Sequence, residues 1–242
     1  MFQDKLHIIT GDVEHISITS KRWYDTPDWF SFSEVAKMFE RHPDLQALMP
    51  VDEHRMQEFF MRFGRAAGSL AITERSGKVP QRDLDVFEFG SGVGIGLIVL
   101  DMLAKSADRQ LAQVTGSEVD ESRHVQSTMV ASILDTVGDV SNDGIATMLA
   151  NPGRFDVIFA HRFGPCRNAF ADDPQLELPE QFIHAALGAL REDGVIAIDS
   201  DSVTMEYVTS RAQEIPELQM RVIDPRTLPV GYESHPHILL TH

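Results

Sequence analysis

Residues Val86–Leu97 read VFEFGSGVGIGL, with Gly90, Gly92, Gly94 and Gly96 at alternate positions. The run DLDVFEF that leads into them predicts a short buried strand. GIGLIVLDMLAKSA, which follows, predicts a helix. A strand that passes into a helix through glycines lets a backbone press against a ligand. A dinucleotide loop has the spacing Gly-x-Gly-x-x-Gly. Counted from Gly90, the third position is Ile95; counted from Gly92, it is Leu97. Neither fits. Glu88 stands two residues ahead of the first glycine. Its carboxylate would lie beside the helix N-terminus, where it would repel a pyrophosphate and attract a positively charged group such as an ammonium.

Outward from this loop, strand and helix patterns alternate toward the C-terminus. QLAQVTGSE reads as a strand and DESRHVQSTMV as a helix. FDVIFAH is a strand, and LPEQFIHAALGALRED a helix ended by Gly194. GVIAIDSD is a strand, SVTMEYVTSRAQEI a helix ended by Pro216, and LQMRVID and HILLTH are two final strands. Repeated strand–helix units predict an α/β fold, a mostly parallel sheet with helices on both faces. Toward the N-terminus the pattern differs. KLHIITGDVEHISIT alternates around Gly11-Asp12 and predicts a hairpin. Ser31 and Glu34 form a capping box for a helix over FSEVAKMFER that Pro43 closes. Met56, Phe59, Phe60, Phe63, Ala67 and Leu70 recur at helical spacing within 53–74.

With these elements in place, EFGSGVG resembles the first motif of the class I methyltransferases that use S-adenosylmethionine: an acid, one apolar residue, then Gly-x-Gly-x-Gly after the first strand. The resemblance covers residues 83–242. It implies a seven-stranded Rossmann-like sheet, S-adenosylmethionine as cofactor and S-adenosylhomocysteine as product. It further implies that Gly90, Ser91, Gly92 and Gly94 line the cofactor loop with Glu88 beside them. In such proteins an acid at the end of the second strand takes both ribose hydroxyls, which suits a carboxylate's paired acceptors. Glu118 fills that slot with Val119 after it, and Asp120 competes. An acid after the third strand reaches the adenine amine. TVGD points to Asp139, with Asp143 as the alternative and a turn residue as the plain reading of either. Ala160, at the end of the fourth strand, completes the cofactor set.

The chemistry would sit where FDVIFA runs into HRFGPCRN, because ligands of open α/β sheets bind beyond the C-terminal strand ends. Histidine as a residue type titrates near neutrality, so His161 suits a base that takes the acceptor's proton. Arg162 suits an acidic acceptor, and Phe163 lies beside it. Each is also readable as an ordinary loop residue with a hydrogen bond. No Asp/Asn-Pro-Pro-Tyr/Phe follows this strand, which lowers the expectation of methylation on DNA bases or protein amides. Asp199 and Asp201, and His235 and His237, are metal-ligand types at close spacing. Neither pair has an evident third partner, so no metal is expected. In RWYDTPDWF, Tyr24 and Trp29 suit stacking on a planar acceptor. The same aromatics would also serve as anchors to the core or as a contact in a homodimer.

Charge and composition bound the remaining readings. Residues 1–82 carry 11 Lys/Arg against 12 Asp/Glu, whereas 83–242 carry 10 against 25. The step suggests an N-terminal, mainly helical cap over 1–82 and a cofactor domain over 83–242. The net charge of −16 disfavours a phosphate backbone as partner. One cysteine, Cys166, allows no internal disulfide. The start MFQDKLHIIT lacks a signal-peptide pattern, and no apolar run approaches the ~20 residues of a membrane span. The expectation is a cytoplasmic enzyme that methylates a small molecule of the specialised-metabolism kind. Three rivals are a protein or RNA methyltransferase using Lys21, Arg22, Arg62 and Arg65, a cofactor-binding protein without methyl transfer, and a nicotinamide-dependent oxidoreductase.

Overall fold

The computed structural model describes residues 14–16, 37, 39–49, 83–106, 111–161, 177–199, 202–216, 218–223 and 237–241. Their strands are β1 (Glu14–Ile16), β2 (Leu84–Phe89), β3 (Leu111–Ser117), β4 (Val137–Ser141), β5 (Phe155–His161), β6 (Leu190–Asp199), β7 (Gln219–Ile223) and β8 (His237–Thr241). The helices are α1 (Pro43–Leu48), α2 (Ile95–Ser106), α3 (Glu121–Ala131), α4 (Gly144–Leu149), α5 (Glu177–Ala189) and α6 (Ser202–Gln213).

One sheet contains all eight strands in the order β1-β7-β8-β6-β5-β2-β3-β4. Every neighbouring pair is parallel except the two that involve β8. The chain builds β2, β3 and β4 outward in one direction, then returns to lay β5 on the other side of β2. This reversal opens a crevice between the C-terminal ends of β2 and β5, the usual ligand position in such sheets.

Among the described residues, 83–242 supply seven of these strands, β2–β8. Glu14–Ile16 adds an eighth, parallel to β7 with Glu14 opposite Arg221. Its described partner is a strand from the far end of the sequence. Gly11-Asp12 and the apolar stripe of 53–74 lie outside the described residues.

Packing explains most of the element choices. Phe87, Ile158, Ala160, Ile196, Ile198 and Leu240 form one buried sheet face. Phe182, Ala185, Ala186 and Ala189 of α5 pack on it, with Val208 and Ala212 of α6. Small residues along α5 let its axis approach the sheet closely. On the opposite face, α2 is apolar on nearly all sides, with Ile95, Leu97, Ile98, Val99 and Leu100 buried. This is the pattern of a helix enclosed by its neighbours. Pro43 starts α1 at its first turn, where a missing N–H costs nothing, directly after helical residues 39–41. Gln126 Nε2 of α3 donates to the Leu48 carbonyl at 2.7 Å and ties α1 to the sheet body.

Gly194 does not end α5. The helix stops at Ala189, and Gly194 lies inside β6. A Cβ there would come within 2.7 Å of Leu190 side-chain carbons and 3.0 Å of the Asp156 carbonyl. The glycine thus serves close strand packing. At the N-terminal strand ends, Arg191 Nη2 meets Asp85 Oδ2 at 2.9 Å and Nη1 meets Asp156 Oδ2. Asp156 also accepts from the Asp85 N–H at 2.8 Å. This cluster pins β2, β5 and β6 at the end opposite the crevice.

Candidate cofactor site

The glycine loop adopts a conformation that explains its composition. Gly90, Gly92 and Gly94 have φ of 73°, 60° and 93°. L side chains rarely adopt this left-handed region, so the alternation is a backbone requirement. A Cβ on Gly90 would meet nothing within 4 Å, so the loop has open space on that side. A Cβ on Gly94 would come within 3.0 Å of Val130 in α3, so here the glycine also lets the loop sit against a helix.

Two buried carboxylates bracket this loop. Glu88, the penultimate residue of β2, is 3% exposed. Its carboxylate lies against Gly96 in the first turn of α2; a Cβ there would fall 1.7 Å from Glu88 Oε1. The positive end of the helix favours a negative charge at this place. Glu118 follows the last residue of β3 and is 7% exposed. The Gly92 N–H donates to its Oε2 at 2.8 Å, and the Asp120 N–H donates to its Oε1 at 2.9 Å. A carboxylate offers about four acceptor sites, so each oxygen retains capacity for a further donor.

The structure separates Glu118 from its competitor. Asp120 caps α3: its Oδ1 accepts from the Arg123 N–H at 3.0 Å and from Ser122 Oγ at 2.7 Å. The Ser122 hydroxyl, then the Arg123 N–H, hold its carboxyl below the usual range. A depressed carboxyl stabilises the fold above its unfolded pKa, and that contribution disappears as pH falls through the folded pKa. The thermal midpoint of Asp120→Asn should therefore lie below wild type at neutral pH and converge with it in acid. Melting both proteins from about pH 7 to pH 2.5 checks this. A gap that persists at the acid end would exclude the cap's charge as its source.

Other expected site residues have different places. Ser91 is buried, its Oγ 2.8 Å from Ser127 Oγ and 3.2 Å from the Ser117 carbonyl, with its N–H donating to that carbonyl at 2.7 Å. Its hydroxyl joins the loop to β3 and α3, facing inward. The Ala160 methyl belongs to the core cluster. Asp139 is exposed inside β4, two residues before the strand ends at Ser141. Asp143 lies in the following turn and caps α4, accepting from the Ala146 N–H at 2.9 Å. Val119 stands beside Glu118 and is 77% exposed. His161 is the last residue of β5, a backbone position only. Arg162, Phe163, Tyr24, Trp29, Lys21, Arg22, Arg62, Arg65, Asp201 and His235 lie outside the described residues.

Gly144 escapes the sequence reading, and Gly96, marked there only by its place in the alternation, takes a role in the site. Gly96 admits the Glu88 carboxylate; its signal was the fourth beat of the alternation. Gly144 lets the β4–α4 turn reach the ends of β2 and β3. A Cβ there would lie 2.4 Å from Ser117 Oγ and 2.7 Å from the Phe89 ring. α4 has only six residues, too few for a periodic pattern to mark its start.

Among solved structures, the CMeT domain of the citrinin polyketide synthase matches with a TM-score of 0.50 at 12% identity, over 81% of this chain and 59% of that one. The chain has the class I methyltransferase fold. Similar to this fold, at lower scores, are precorrin-6y C5,15-methyltransferase from Geobacter metallireducens (TM-score 0.49, 14% identity, 71% of this chain and 87% of that one) and spermidine synthase from Thermotoga maritima (0.45, 19%, 66% and 54%). No protein-family model and no curated protein matches the sequence. At such identities the methyltransferase fold is what is shared, and a fold by itself does not assign a reaction. No helix among the described residues is long and apolar enough to cross a membrane.

Proposed function

We propose that this protein binds S-adenosylmethionine and transfers its methyl group to an oxygen, nitrogen or carbon atom of a small-molecule acceptor, releasing S-adenosylhomocysteine. The observation that carries the reading is the pair of buried carboxylates on adjacent strand ends, Glu88 and Glu118, around a loop of three left-handed glycines. Such a site repels phosphate and accepts a cationic ligand that carries vicinal hydroxyls. Its donor set fits the cofactor. Glu88 suits the ammonium end, the spare acceptor sites of Glu118 suit the ribose hydroxyls, and the space at Gly90 admits a close ligand. Val119 offers an apolar surface for the adenine. We place the adenine contact in the β4–α4 region, where Asp139 and Asp143 remain the two candidates.

When bound, the cofactor supplies a methyl group on a sulfonium that departs readily. The chain's contribution is then orientation, which supplies roughly 7–11 kcal/mol in favourable cases, and exclusion of water. His161 takes the proton of an acceptor hydroxyl or amine. Arg162 and Phe163 orient the acceptor, and residues 1–82 cover it, with Tyr24 and Trp29 stacking on a planar ring.

Thermal unfolding with S-adenosylmethionine, S-adenosylhomocysteine, NAD and buffer alone tests the reading. A ligand at 100 times its Kd stabilises by about 2.7 kcal/mol. For a chain of this length the midpoint should rise by roughly 5–11 °C with either sulfur compound and stay unchanged with NAD. A rise with NAD alone would overturn the proposal.

A further inference from the structure

Three serines from three elements form a hydrogen-bonded chain behind the glycine loop. Ser117 is the last residue of β3, Ser91 lies in the loop, and Ser127 sits midway along α3. All three are buried. Ser91 gives the Ser117 carbonyl two bonds, from its N–H at 2.7 Å and from its Oγ at 3.2 Å. A hydroxyl has one proton to give. That of Ser91 goes to Ser117, so Ser127 is the donor in the 2.8 Å contact between Ser127 Oγ and Ser91 Oγ. The chain therefore runs in one direction, from the Ser127 hydroxyl through the Ser91 hydroxyl to the end of β3.

The loop is built on this anchor. The Gly94 N–H donates to the Ser91 carbonyl at 3.0 Å and closes a turn over 91–94. Inside that turn the Gly92 N–H donates to Glu118 Oε2 at 2.8 Å, and Glu118 directly follows Ser117. Val130, three residues beyond Ser127 on α3, lies where a Cβ on Gly94 would fall. One helix thus backs both ends of the turn. Glycines that permit left-handed φ also permit many other conformations, so contacts from outside the loop must select this one. A loop selected before its ligand arrives loses less conformational freedom on binding. We infer that Ser127 is a positioning residue for the cofactor site: acting through Ser91, its hydroxyl holds the glycine loop at the distance from Glu118 that the cofactor needs. Ser127 is wholly buried behind the loop and acts without touching the ligand. The inference rests on the S-adenosylmethionine reading for the identity of that ligand; the anchoring of the loop does not depend on it.

The test uses the full chain and two readouts. The first is the order of the loop without ligand, from NMR relaxation of protein carrying 15N-glycine and 13C-carbonyl serine. Only Ser76–Gly77 and Ser91–Gly92 are then doubly labelled, and Ser91→Ala removes the Gly92 signal. In wild type the Gly92 order parameter should be that of rigid backbone, about 0.85, and in Ser127→Ala it should fall toward about 0.6. The second readout is calorimetric titration with S-adenosylhomocysteine. Ser127→Ala should weaken it roughly fivefold, the size of one neutral hydrogen bond. In a Ser91→Ala background the same substitution should change affinity by less than about twofold, because the residue it acts through is gone. A merely structural role would lower the unfolding midpoint and leave loop order and affinity unchanged. An unchanged Gly92 order parameter, an unchanged affinity, or an equal loss in the Ser91→Ala background would each overturn the inference. Should Ser127→Ala fail to fold, Ser127→Cys, close in shape but a weaker donor, carries the same test with the same outcomes. If wild type binds no sulfur compound, the function above is rejected, and the Gly92 order parameter alone decides whether Ser127 anchors the loop.

Discussion

Gly96→Ala should lower stability by about 2 kcal/mol, near 4–8 °C in the thermal midpoint, although alanine is normally the better helix residue. At an ordinary helix position the change would gain about 1 kcal/mol. Here the added methyl would fall 1.7 Å from Glu88 Oε1, so either the carboxylate or the first turn of α2 must move. Both are buried and neither has room. The decisive comparison is a double-mutant cycle. With Glu88→Ala the obstructing carboxylate is gone, and Gly96→Ala should then stabilise by up to about 1 kcal/mol. The two effects differ by roughly 3 kcal/mol, the upper end of couplings between touching residues. Additive effects in urea unfolding would mean that Gly96 is not what seats Glu88. Gly96→Ala should also weaken S-adenosylmethionine binding, because it displaces the carboxylate assigned to the ammonium.

Glu118→Ala should weaken S-adenosylmethionine by at least 100-fold in titration calorimetry, about 2.7 kcal/mol. Two charge-assisted bonds to ribose hydroxyls are worth ~1.5–3 kcal/mol each. The same substitution also removes the acceptor of the Gly92 N–H, which holds the loop to β3. Glu118→Gln retains one acceptor oxygen and should lose roughly tenfold. Asp120→Ala should stay within about threefold of wild type, because that side chain is occupied in capping α3. If Asp120→Ala weakened binding as much as Glu118→Ala, the ribose position would belong to Asp120.

The main run of elements was legible because each carries its own period. Leu84–Phe89 is apolar and β-rich, and Ile95–Ser106 has the length of a helix between a glycine loop and a polar connection. The pieces that were missed are short or depend on distant partners. Glu14–Ile16 reads as strand by its alternation, but its sheet neighbour β7, which pairs with it from Arg221, lies at the other end of the sequence. Gly194 reads as a helix terminator locally, but Leu190 and the Asp156 carbonyl are what exclude a side chain there. Asp139 follows a glycine as a turn acid does, yet β4 runs on to Ser141, because Gly116 and Ser117 of β3 continue the pairing.

By itself the sequence determined the character of the site. An acid and alternate glycines between a strand and a helix form a local unit, and its charge and backbone demands follow from a dozen consecutive residues. Tertiary structure decided which side chains meet. It turned the Ser91 hydroxyl inward, gave Asp120 to a helix cap and Glu118 to the glycine loop, and set Gly96 under Glu88. It also set the backbone of β5 at residue 161 in register with residue 199 of β6, and that with residue 237 of β8. Register between strands depends on how the whole sheet packs, and no local pattern encodes it.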